Sequence, residues 1–266
     1  MRHLGLWAAA AVLFSTGSLL AQGSPFPLPQ AQGGPIFHPD GRVMNGMEFE
    51  KTPYAGFLEG GLNGAEGNSK FLNLRLGGQF TYDTPDDFCT VFGWYGLNRD
   101  ASEITQNMLW LTARNELMYD GTFGFFSQLQ FEYDDLRVVD RRLGAHNGLS
   151  VNVLKDNDIL LKARIGLGAS QEHGGPENGW APEGDLGGDF EWQLSKATKF
   201  VAGLDYYPDV SDFGHYRVRG RAAFEFMVDP KLNLSIRTGL LERYDSRPGD
   251  AKHNDLGYFV TLLYKF

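Results

Sequence analysis

Three arginines, Arg217, Arg219 and Arg221, recur at every second position of one short segment. On an extended chain that spacing puts all three guanidiniums on one face, about 7 Å apart. Like charges so placed repel one another unless acids or solutes offset them. Acids lie in the two preceding segments: Asp205 on one, and Asp185, Asp189 and Glu191 on the other. Three more cations, Arg75, Arg164 and Arg237, fall on the polar faces of other segments. Two chemistries fit this set. The acids and arginines can form an interior network that braces or plugs a barrel. Alternatively, the arginine stripe lines a water-filled lumen that favours small anionic solutes, as charged rings do in anion pores.

Other chemistry finds little support. His146, His173, His215 and His253 lie on different segments without ligand spacing, so they read as isolated loop histidines and no metal is expected. No histidine has a serine two residues later, the step a barrel phospholipase would need. There is no Gly-x-Ser-x-Gly elbow. Gly61, Gly64 and Gly67 form a lone Gly-rich turn with no helix after it, which is not a nucleotide site. No catalytic residue and no cofactor is therefore assigned, and a lipid-modifying enzyme is the least favoured class. The single cysteine, Cys89, excludes an internal disulfide and reads as a small packed residue. A net charge of −9 argues against nucleic acid as a partner.

The elements that carry the charged residues are strands. From 185 to 195 the even positions read Leu186, Gly188, Phe190, Trp192 and Leu194, and the odd positions are mostly acidic or polar. From 159 to 170, Ile159, Leu161, Ala163, Ile165 and Leu167 share one face, and Lys162 and Arg164 share the other. The same period of two recurs along the chain. It predicts twelve strands near 53–62, 71–83, 88–97, 105–118, 123–133, 139–154, 158–170, 183–195, 200–208, 215–228, 232–244 and 255–266. Tight turns follow the even-numbered strands, and most other connections are longer. That asymmetry predicts an all-β, antiparallel transmembrane barrel of the outer-membrane type. Alternation alone does not say which face points outward. Long charged side chains on the polar faces suit a wet lumen, and twelve strands enclose more room than the eight that side chains just fill. Aromatics also cap the apolar faces: Phe123 and Tyr133, Tyr216 and Phe226, Tyr258 and Phe266. These features put the apolar face against lipid.

The N-terminus reads as an address. Met1-Arg2-His3 precede an apolar run, Leu4 to Phe14, and small residues lead to Ala21-Gln22-Gly23. Residues 1–23 are thus expected to be a cleaved signal peptide. Residues 24–51, with five prolines among Gly, Gln and Ser, read as a flexible linker. The barrel is assigned to 52–266.

At the other end Tyr258, Val260, Leu262, Tyr264 and Phe266 alternate up to the terminus. A strand ending in Phe resembles the signal read by the outer-membrane barrel assembly machinery, which becomes an expected partner through Phe266. Outer-membrane lipid and lipopolysaccharide are the others.

Glu59-Gly60-Gly61-Leu62-Asn63-Gly64-Ala65-Glu66-Gly67-Asn68-Ser69 and the alternating Phe71-Leu72-Asn73-Leu74-Arg75-Leu76 resemble the opening of a bacterial family of unknown function labelled salt-induced outer membrane protein. Phe131-Glu132-Tyr133-Asp134-Asp135-Leu136, Arg141-Arg142-Leu143 and the closing Leu263-Tyr264-Lys265-Phe266 are similar to its later segments. The chain departs from the family at Gly144-Ala145-His146-Asn147, where a Gly-x-Gly-Tyr-like segment is expected. The resemblance spans roughly 53–266 and implies an outer-membrane barrel without a reaction. The expected functions are a passive channel for small anionic solutes or a non-transporting, stress-related envelope barrel with a plugged lumen.

Overall fold

The computed structural model describes residues 53–67, 70–84, 86–137, 139–174, 179–249 and 251–266. The signal peptide and linker expected over 1–51 lie outside the described residues. Twelve antiparallel strands account for nearly all of the rest. They are β1 (Tyr54–Ala65), β2 (Phe71–Asp83), β3 (Asp87–Asp100), β4 (Glu103–Met118), β5 (Phe123–Asp134) and β6 (Arg141–Lys155). They continue with β7 (Ile159–His173), β8 (Trp180–Ser195), β9 (Thr198–Pro208), β10 (Tyr216–Asp229), β11 (Leu234–Asp245) and β12 (Asn254–Lys265). Each pairs with its sequence neighbours, and β1 pairs with β12, so the sheet closes on itself.

Every predicted strand is present. Several are longer than predicted at the end away from the tight turns: β1 runs on to Ala65, β3 to Asp100, β7 to His173, and β8 begins at Trp180. The added residues, such as Gln171-Glu172-His173, are polar on both faces. Backbone pairing continues there although the apolar period has stopped. The hydrophobic pattern marks only the part of each strand that needs an apolar outer face.

At the opposite end side chains fix the turns. Asp120 accepts bonds from the Thr122 and Phe123 amides at 2.9 and 2.8 Å. Asp229 accepts from the Lys231 amide at 2.8 Å. Such Asx turns hold a hairpin without a buried core.

The apolar face points out. Leu62 is 72% exposed, Leu167 67%, Val260 66% and Tyr258 84%. The buried charged side chains, among them Glu59, Arg164, Asp189, Arg219 and Arg237, lie on the other face of the sheet. A water-soluble barrel would reverse this arrangement, because exposing so many Leu, Ile and Phe side chains to water has no compensation. The fold is that of a membrane barrel. Its rims are aromatic. Tyr206, Tyr216 and Tyr244 stack at the long-loop end, with centroids 5.5 Å apart in each pair. Tyr54 with Phe80 and Tyr82, and Tyr264 with Phe266, cluster at the turn end. Two girdles of this kind sit at the membrane–water interfaces of such barrels.

Candidate functional site

Strand alternation carries every other side chain into the lumen, and the inward set is dominated by charge. Arg75 comes from β2, Arg164 from β7, Arg217, Arg219 and Arg221 from β10, and Arg237 from β11. All six point inward, and each has a carboxylate within salt-bridge distance.

Asp189 on β8 is the hub at mid-lumen. It takes Arg114 Nη2 from β4 at 2.9 Å and Arg221 Nη2 from β10 at 3.1 Å, and it also pairs with Arg164. Arg164 and Arg221 share Asp205 as a second acceptor, at 2.6 and 3.3 Å. Glu116 closes the same layer, 2.6 Å from Lys162 Nζ and 3.0 Å from Arg114 Nε. Arg164, Asp189 and Glu116 side chains are 0% exposed. The level above is built round Glu132, which lies 3.0 Å from Arg219 and 3.5 Å from Arg217. Arg217 also grips Glu183 at 2.7 Å. Below, Arg237 joins Glu59 at 2.9 Å and Glu225 at 3.1 Å.

These contacts cross the lumen. Arg114 and Asp189 stand four strands apart, Arg219 and Glu132 five, and Arg243 on β11 meets Asp134 on β5, six strands away, at 3.0 Å. Six is the far wall of a twelve-stranded cylinder. Gln130 on β5 likewise donates to the Tyr207 hydroxyl on β9. Side chains from opposite walls therefore meet inside the barrel. Burial in this low-dielectric interior is tolerable for charge only because each ion has a partner.

Two of the expected acids play other parts. Glu191 pairs with Lys199 at 2.6 Å, near the turn end. Asp185 faces the lumen fully buried, but its neighbour is the Gln128 amide at 3.4 Å. His146 corrects the reading of isolated loop histidines. It lies on β6, fully buried, 3.3 Å from Glu183 and against the Tyr207 ring. No metal-ligand cluster occurs among the described residues.

Sequence reasoning missed Glu59, Glu116, Glu132, Glu183 and Glu225 as partners. Their inward parity was legible, and Glu225 does face Arg237 on the adjacent strand, but Glu116, Glu132 and Glu183 reach Lys162, Arg219 and Arg217 on strands that are not their neighbours, which no local period encodes.

The lumen is not uniform. Toward the long loops lies a cavity of about 730 Å³, walled by residues of β1, β2, β3, β4, β11 and β12. Trp94 and Met108 line its inner end, and Asn63, Asn73, Asn98 and Gln106 its polar sides. Arg75 lies between the Trp94 and Phe259 rings, 4.5 and 4.3 Å from their centroids.

The family model described as "Protein of unknown function, DUF481" matches residues 58–266. No curated protein matches the chain. Solved structures similar to it include the KdgM porin in complex with disordered oligogalacturonate, at 12% identity and a TM-score of 0.44, covering 80% of this chain and 99% of that one. The NanC porin gives 11% identity, a TM-score of 0.45, and coverage of 79% and 97%. The translocator domain of the autotransporter NalP from Neisseria meningitidis gives 12%, 0.40, and coverage of 84% and 91%.

Proposed function

The chain belongs to the DUF481 family of unknown function, and we propose that it is an outer-membrane barrel whose lumen is held shut by its arginine–carboxylate network. One observation carries this reading: Arg219 from β10, itself buried, reaches across to Glu132 on β5, which Arg217 also approaches. In this reading the arginines are struts. The apolar outer face takes outer-membrane lipid, the long-loop rim meets lipopolysaccharide, and the Phe266 strand is the handle for the barrel assembly machinery. Such a protein stiffens or seals the envelope rather than carrying solute.

A second reading keeps a specific support. Arg217, Arg219 and Arg221 form an unbroken inward column on β10, with Arg237 and Arg243 on the adjacent strand. A rearranged network would turn that column into a path for small anions.

Planar-bilayer recording of the refolded protein separates the two. The wild type is expected to give no steady conductance, while the double variant Glu132→Ala/Arg219→Ala, which removes a strut without changing net charge, is expected to give measurable openings. Steady anion-selective current in the wild type, weakened or reversed in Arg219→Glu, would overturn the closed barrel and establish the pore.

A further inference from the structure

The seam that closes the barrel is incomplete. The β1–β2 ladder runs the whole of β1, from Tyr54 to Ala65, and the β11–β12 ladder runs from Leu234 to Tyr244. Between β1 and β12 the pairing extends only from Phe57 opposite Lys265 to Gly60 opposite Leu262, with a reciprocal pair of bonds joining Gly56 to Phe266. Beyond Gly60 the strands part. A Cβ on Gly61 would still lie 2.7 Å from the Val260 carbonyl. At Gly64 the near atoms belong to β2 alone, and at Gly257 there are none within 4 Å.

The 730 Å³ cavity occupies this gap. Its wall includes Gly61, Leu62 and Asn63 from one edge and Tyr258, Phe259 and Val260 from the other. Asn63 and Phe259 face the lumen, whereas Leu62, Tyr258 and Val260 belong to the lipid-facing set. The cavity thus borders residues of both faces where the two edges part. Unpaired strand edges are not stable against hydrocarbon; they persist only where they line a polar or water-filled space.

We propose that this seam is a lateral portal, and that it takes a single-chain amphiphile with an acidic head from the membrane, the head in the vestibule and the chain between β1 and β12. The inference rests on the membrane placement proposed above. The chemistry of the walls selects the occupant. Inside, Arg75 is held by Glu59, and Arg137 and Arg243 share Asp134 and Asp255, which leaves Lys252 at the cavity wall with no carboxylate within salt-bridge distance among the described residues. Outside, the lips are Leu62, Leu256, Tyr258 and Val260, all strongly exposed. One uncommitted cation within and an apolar lip without suit an anionic head on a hydrocarbon tail. The charged network beneath leaves two ways out of the cavity, the mouth and the seam. The gap is about five residues long, which admits one chain more readily than two.

The test uses the full barrel refolded into phosphatidylcholine nanodiscs containing a trace of diazirine-bearing palmitate, with labelled residues located by mass spectrometry. Labelling of Leu62, Asn63 and Tyr258–Val260 is expected to exceed that of Leu149 and Ile165, on the opposite outer wall, several-fold. Diazirine-bearing hexadecanol is expected to label the seam several-fold less. The variant Lys252→Gln/Arg137→Gln should lose palmitate labelling and keep hexadecanol labelling. An Asn63→Cys/Phe259→Cys pair in a Cys89→Ser background should lose seam labelling once oxidised and regain it on reduction. Even labelling round the barrel, equal labelling by the alcohol, or indifference to the disulfide would overturn the portal. Competition by phosphatidylglycerol at equal concentration would overturn the single-chain occupant. Cysteine cross-links between two copies would show that a second barrel covers the edges instead. A protein that fails to run as a heat-modifiable barrel would sink the membrane reading first, and this inference with it.

Discussion

The lumen round Asp189 and the vestibule beside the seam are built on the same strands and end in opposite states. Round Asp189, three guanidiniums converge on one carboxylate and space is exhausted. In the vestibule Gly61, Asn63, Gly96, Asn98 and Gly257 stand among the inward positions beside Arg75, Trp94 and Arg243, and space remains. Two glycines make the contrast sharp. A Cβ on Gly187 would stand 2.4 Å from Arg164 Nη2 and 2.7 Å from Asp205 Oδ1. A Cβ on Gly257 would meet nothing within 4 Å. The backbone does not close this barrel. Long charged side chains close it where acids and bases face one another, and glycine serves them by yielding its volume to a guanidinium. Where glycines and asparagines stand among the facing positions, a cavity remains.

The largest test of that contrast is charge removal at the hub. Asp189→Ala takes the shared acceptor from Arg114, Arg164 and Arg221, leaving them Glu116 and Asp205, and should lower stability by about 3–5 kcal/mol in urea unfolding from lipid vesicles. Asp255→Ala at the mouth removes a carboxylate that is 50% exposed and should cost about 1 kcal/mol or less, because solvent already screens its two arginines. Equal losses would break the contrast.

Next in size is steric. Gly187→Ala should cost about 1–3 kcal/mol as Arg164 and Asp205 are displaced, whereas Gly257→Ala should stay within about 0.5 kcal/mol. The same unfolding curves report both.

The smallest effect lies outside the membrane. Asp212 lies in the β9–β10 loop, where Arg247 of the β11–β12 loop and the Gly214 amide donate to its carboxylate and hold its pKa below the ordinary 3.8. A depressed carboxylate stabilises the loop fully above that ordinary value and progressively less as pH falls below it. Hydrogen exchange of residues 211–216 should therefore accelerate below about pH 4, while amides beside Asp189 keep their protection. Loss of protection in both places together would erase the distinction between rim and interior.

The strands and their outward faces were legible because lipid and lumen impose a period of two on every segment. Inward placement of Arg217, Arg219 and Arg221 followed from the same parity, and so did that of Asp189 and Asp205. Their cross-lumen partners were not legible. Which strand faces β10 across the barrel depends on closure, tilt and stagger, and these belong to the whole sheet. Thus Asp185 was expected among the arginine partners and meets Gln128, while Glu132, five strands away, takes Arg219. His146 was read with the other histidines as an isolated loop residue for want of ligand spacing, although it falls within the strand predicted over 139–154; in the structure Gly144 and Gly168 make room for its ring inside the wall. The partial β1–β12 seam left no trace in the sequence, since both strands alternate well beyond the point where they part.

The short seam also orders the making of the barrel. Eleven hairpin contacts join segments close in sequence, and one joins the chain's two ends, some 200 residues apart. Closure of so long a loop carries the greatest entropic cost and rewards it with the fewest backbone bonds. A curled, unlatched sheet is thus the natural last intermediate, and Gly56 with Phe266 forms the clasp. Unfolding should begin by releasing that clasp, a reciprocal pair of backbone bonds between Gly56 and Phe266.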